Sequence, residues 1–217
     1  PEKITRNPPT VILSTAYLGN VQYYTKLLSG KAVIDLHEHY RKQSYRNRCD
    51  ILTANGTSPL IVPVLQPSGL KKPTRDIRID SSKKWQHQHW QTIVSAYRSS
   101  PYFVHYEERF APFYRKRYEF LADLNAELQQ TVFDLLQTEP EVGYSESYLP
   151  CPAPAEDFRD TLSPKPGLQR PDPAFRPATY YQVFAERYPF AANLSIIDLL
   201  FCEGPAATGI LQDSTVR

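Results

Sequence analysis

The chain has 217 residues, 41% of them hydrophobic, enough for one sizeable buried core. Its 25 Lys and Arg nearly cancel its 23 Asp and Glu, so the whole molecule is too evenly charged to read as a nucleic-acid binder. Cys49, Cys151 and Cys202 are far apart and form no C-x-x-C pair, which excludes a disulfide framework and fits a reducing compartment. No apolar run approaches the roughly 18 residues of a membrane span. The first residues carry no apolar signal core, so the sequence predicts a cytoplasmic protein.

Residues 10–14 (TVILS) read as a short buried strand, and Gly19-Asn20 breaks it with Asn20 placed to cap a helix. Val21, Tyr24 and Leu28 share one face of that helix, which stops at Gly30. Residues 32–36 read as a second strand, giving strand, helix and strand in succession. Residues 46–53 and 59–65 read as a hairpin around Asn55-Gly56. Alternation puts Arg46, Arg48 and Asp50 on one face of its first strand, with Asn47, Cys49 and Ile51 on the other. Residues 75–80 predict another strand with Ile77 and Ile79 inward, and Ser81 or Ser82 caps the helix that follows.

That helix is predicted over 84–99, with Trp90, Ile93, Val94 and Tyr97 on one face and Pro101 ending it. The longest helical pattern runs from 111 to 137 along Leu121, Leu124, Leu128, Val132 and Leu135. From 140 to 178, prolines interrupt every element, which predicts a surface loop or flap. Helix resumes over the aromatic residues 180–188. Ser195 and Asp198 form a capping box for a last helix that Gly204-Pro205 stops. The expected fold is mixed α/β or α+β: a small sheet, a β-hairpin, packed helices and a long proline-rich insert. Residues 1–139 form the α/β core, 140–178 the insert, and 179–217 a helical segment that completes the same domain.

The densest chemistry lies at residues 37–56, where Arg41, Lys42, Arg46 and Arg48 mix with His37, His39, Tyr40, Gln43, Tyr45 and Asn47. Such residues make poor core and suit the wall of an anion site. Arg46 and Arg48 read either as a solvated strand face or as two guanidinium forks for phosphate or carboxylate. His37/His39 and His87/His89 are H-x-H pairs. A strand would point the first pair one way, whereas a helix splays the second by about 200°. No clustered Cys or carboxylate supplies further ligands, so no metal is expected. His89 shares a helix face with Trp85 and Ile93 and reads either as a core histidine or as a general base in a cleft. Cys49 faces Ile51 and reads as structural. No glycine-rich phosphate cradle is present, and nothing specifies a cofactor.

The segments STAYLGNVQYYTKLL, EHYRKQSYRNRCDILTANGTSPLIVPV, KWQHQHWQTIVSAYRSSPYF and LSIIDLLFCEGP, in that order, resemble the WbqC-like protein family. Tyr17, Gln22, Tyr23, Asn47, Arg48, Asn55, Gly56, Pro63, Trp85, His89, Pro101, Tyr102, Ile197, Asp198 and Gly204 sit on the similar motifs. Cys202 departs from them, standing where a polar residue is expected. The resemblance implies a bacterial protein of surface-polysaccharide biosynthesis, acting on an amino sugar or sugar nucleotide with transfer of an acyl or aminoacyl group. The expected partner is an anionic small molecule such as a sugar nucleotide or acyl donor. Arg46 and Arg48 would hold phosphate; Gln22, Tyr23, Tyr45, Asn47 and Trp85 would contact substrate; and His89 would deprotonate the acceptor. The alternative is a non-catalytic scaffold of glycan assembly that docks through the aromatic region 97–120.

Overall fold

A computed structural model describes residues 11–65, 72–150 and 157–216. The mixed α/β class holds. Strand β1 (Val11–Leu13), helix α1 (Val21–Leu28) and strand β2 (Ala32–Ile34) form a βαβ unit, with β1 and β2 parallel and Val11 paired to Ala32. Parallel strands need such a crossover, and α1 supplies it. Asn20 starts α1 as expected, its side chain accepting from the Tyr23 amide at 2.9 Å. A hairpin of β3 (Arg48–Thr53) and β4 (Gly56–Ile61) follows. It turns at Ala54-Asn55, with Gly56 at φ +92° where a side chain would be strained.

Three helices come next: α2 (Trp85–Tyr97), α3 (Phe103–Phe110) and α4 (Leu121–Leu136). The long pattern predicted over 111–137 therefore divides. Residues 111–114 make a 3₁₀ turn containing Pro112, and the helix proper begins only at Leu121. Residues 103–110, unassigned by pattern, are helical. The predicted strand at 75–80 is a 3₁₀ turn over 74–76 followed by single bridges, yet Ile77 and Ile79 do point inward. Neither Ser81 nor Ser82 caps α2, because the Ser82 hydroxyl donates to Asp80 instead.

Within the proline-rich insert, residues 142–144 escape the prolines and form β5 (Val142–Tyr144), parallel to β2 on the side away from β1. The sheet order is β1-β2-β5, so Ser14, Asp35 and Ser145 leave the three strands side by side at their carboxyl ends. Residues 180–188 form turns rather than a helix. Helix α5 (Ile196–Glu203) starts at Ser195 without a capping box. The Ser195 hydroxyl donates to the Leu18 carbonyl, and Asp198 instead accepts from Tyr97, Tyr180 and Gln182. Gly204 caps the end of α5 as expected, but α5 is not the last helix: a 3₁₀ turn leads into α6 (Ala207–Asp213).

One apolar cluster joins Leu13, Ile34, Ile51, Ile93, Leu128, Phe201 and Leu211, binding sheet, hairpin and helices into a single core. The aromatic region 97–120 mostly belongs to it. Tyr97, Phe103, Phe110, Phe113 and Tyr114 are buried, and only Tyr102 and Tyr106 of the expected docking surface stay partly open. No helix among the described residues is long and apolar enough to cross a membrane.

Candidate functional site

In open α/β sheets ligands settle beyond the carboxyl ends of parallel strands, and here that edge is strongly charged and buried. Asp35, fully enclosed after β2, accepts from the Arg159 guanidinium at 2.6 Å and from the Ser145 hydroxyl at 2.8 Å. Arg159 also forks onto Asp157. Beside it Glu38 takes two hydrogen bonds from Arg46, Nε at 2.8 Å and Nη2 at 2.5 Å, with both side chains buried. Burial lifts the Glu38 carboxyl above its ordinary value, and Arg46 pulls it partly back. Arg46 Nη2 and the Ser14 hydroxyl both donate to the Arg159 carbonyl, so residue 159 is stapled to the sheet edge through backbone and side chain.

That staple brings residues 157–174 over the start of α1 and encloses adjoining chambers that share Leu162 as a wall. One chamber is polar, lined by Asn20, Gln22, Tyr45, Gln169, Arg170 and Asn193. Burial pushes the Tyr45 hydroxyl up to about 12, so it stays a donor at neutral pH. A second chamber, basic on balance, opens between Arg41, Lys42, Ser44 and Lys165, with Asp160 on its wall held by Arg41 at 2.9 Å. A third of about 550 Å³ lies along α1, between Gln22, Lys26 and the residues from Arg170 to Ala174. The α1 amides are not free for an anion. Asn193 Oδ1 accepts from the Gln22 amide and Asn20 Oδ1 from the Tyr23 amide.

Of the residues singled out by sequence, Gln22, Tyr23, Tyr45 and Arg46 meet at these chambers. Asn47, Arg48, Trp85 and His89 lie elsewhere. Asn47 donates to the Val62 carbonyl, Arg48 forks onto Asp50 in its own strand, and Trp85 packs edge-on against His89. Both arginines expected to seize an external anion thus already hold a carboxylate of the chain. His89 is buried, its Nδ1 3.0 Å from the Tyr17 hydroxyl, which in turn meets Tyr114 at 2.9 Å. Burial lowers its pKa to about 4, leaving a neutral core ring that lines none of these chambers. Cys49 and Cys202 are buried free thiols whose pKa values burial raises; Cys151 lies outside the described residues. His37 turns Nδ1 to Ser145 and Nε2 to Arg75, and His39 is exposed.

Sequence reasoning passed over Asp35, Arg159, Lys26, Asp172, Arg170 and Asn193. The contacts of Asp35, Arg159, Lys26, Asp172 and Asn193 cross more than a hundred positions of chain, so no local spacing announces them.

A model of the WbqC-like protein family matches residues 16–158. The chain belongs to that family. The match takes in nearly all of the first three similar segments and the sheet-edge floor of the site, and it ends where the roof begins. No curated protein and no solved structure matches the chain.

Proposed function

We propose that this WbqC-like protein is a transferase of bacterial surface-polysaccharide biosynthesis, moving an acyl or aminoacyl group onto an amino sugar carried by a nucleotide. The observation that supports this reading most is the polar chamber where Asn20, Gln22, Tyr45, Gln169, Arg170 and Asn193 converge beyond the carboxyl edge of the sheet. Planar amides, a phenol and a guanidinium suit the hydroxyl and amino groups of a sugar. Gln22 Nε2 already donates to Asp172, Asn193 Nδ2 to Gln22 Oε1 and Gln169 Nε2 to the Ser163 carbonyl, so the sugar takes the remaining donor and acceptor positions. The chamber at Arg41, Lys42 and Lys165 adjoins it across Leu162 and Ser163; Asp160 also lines it and pairs with Arg41 at 2.9 Å, and its net positive charge takes the phosphates.

In the reaction the sugar nitrogen attacks the acyl carbon of an activated donor. A carbon–nitrogen bond forms, the bond to the leaving group breaks with its electron pair, and the amine proton passes to solvent. Side chains of the chamber bind and orient the two partners, which by itself removes much of the entropic barrier. His89 lines none of these chambers, so this reading gives it no part in the proton transfer.

Titration calorimetry with UDP-glucosamine tests the reading. Binding should weaken about tenfold in Tyr45→Phe and in Gln22→Leu, the worth of one directed hydrogen bond each. No binding by the parent protein, or binding that neither variant changes, overturns it.

A further inference from the structure

The chamber of about 550 Å³ decides what kind of group is transferred, on the premise that the chain is the transferase proposed above. Its accessible lining is mainly carbon, from Val11, Phe158, Leu162, Pro171, Pro173 and Val216. Four charged side chains also reach it: Lys26, Asp157, Arg170 and Asp172. An aminoacyl group would bring an ammonium and need a carboxylate with lone pairs to spare. Neither carboxylate has them.

Asp172 accepts from Lys26 Nζ through both oxygens, at 2.9 Å and 2.7 Å, from Gln22 Nε2 at 2.7 Å and from the Ala174 amide at 3.2 Å. That fills the roughly four acceptor positions a carboxylate offers. Asp157 is likewise filled by Arg159, through its amide, Nε and Nη2. Lys26 spends its charge on Asp172 and on the face of Phe158, 4.7 Å away. Arg170 alone of the four has a guanidinium without an ion-pair or hydrogen-bond partner among the described residues, and it stands where the large and polar chambers meet.

We infer that this chamber is the donor subsite and takes the aliphatic chain of an acyl thioester whose carrier is anionic. The chain lies on the carbon surface along α1, and Arg170 meets the negative charge of the carrier at the mouth. The acyl carbon then sits beside Gln22, which lines both chambers, within reach of an amine in the polar one. Burying a few methylenes there supplies the preference for an acyl chain over a bare carrier.

The test compares butyryl-coenzyme A, coenzyme A and a glycyl sulfamoyl adenosine by titration calorimetry, with UDP-glucosamine run in parallel. Butyryl-coenzyme A should bind about tenfold or more tighter than coenzyme A. Ala174→Trp, which fills the chamber, and Leu162→Asp, which puts a charge on its wall, should each erase that preference. Arg170→Ala should weaken both coenzyme A ligands alike. Equal binding of the two coenzyme A ligands, a preference that survives in both folded chamber variants, or tighter binding of the glycyl compound overturns the inference. If UDP-glucosamine binds while butyryl-coenzyme A does not, the donor subsite falls and the transferase reading stands. If neither binds, both fall.

Discussion

At the scale of single residues, burial rather than residue type decides role. His89 has the chemistry of a base, but inside a cage of Tyr17, Trp85 and Tyr114 it stays neutral. Its folded pKa of about 4 lies below the ordinary 6.5, so the unfolded chain takes up a proton first as pH falls. The stability it confers is complete above about pH 6.5 and is lost progressively toward pH 4, by up to about 3 kcal/mol. Urea unfolding between pH 4 and 7 should show that slope flattened in His89→Gln, and parallel slopes would mean the ring is not held neutral. Any activity per folded molecule should survive the change. Gly204 is a second case. Its φ is +53°, and a Cβ there would lie 2.4 Å from the Tyr102 ring, so Gly204→Ala should cost about 2 kcal/mol by thermal unfolding.

At the scale of elements, the carboxyl ends of β1, β2 and β5 and the roof at 157–174 form one charged joint. Arg159 joins Asp35 to Asp157, and Lys26 on α1 joins Asp172. Removing one partner of a buried pair strands the other without water, so Arg159→Leu should destabilise by about 3–5 kcal/mol. Adding Asp35→Asn to that variant should restore part of the loss, measured by denaturant unfolding. A second change that deepens the loss would show that Asp35 acts independently of Arg159. The hairpin and βαβ unit were legible beforehand because alternation, Asn-Gly and the Asn20 cap are local signals. Strand β5 was not, since three residues among prolines gain strand character only by pairing with β2. The turns at 180–188 likewise follow from partners, with Gln182 and Tyr180 committed to Asp198.

At the scale of the whole molecule, floor and roof of the cleft come from distant parts of the chain, and a ligand between them should couple them. Hydrogen exchange at the amides of Leu168 and Gln169 should slow when UDP-glucosamine binds, whereas amides of α4 should not change. Equal exchange with and without the ligand would place the sugar outside the roof.

By itself the sequence determined the mixed α/β class, the βαβ start, the hairpin, the family and four of the residues that line the chambers, because these rest on periodicity and motifs within a few turns of chain. Only the tertiary structure decided that Arg46 and Arg48 are already paired, that His89 is core, and that Arg159, Arg170 and Asp172 close the cleft. A charge reads the same in sequence whether it faces solvent, substrate or an opposite charge; its partner is chosen by the folding of segments more than a hundred residues apart.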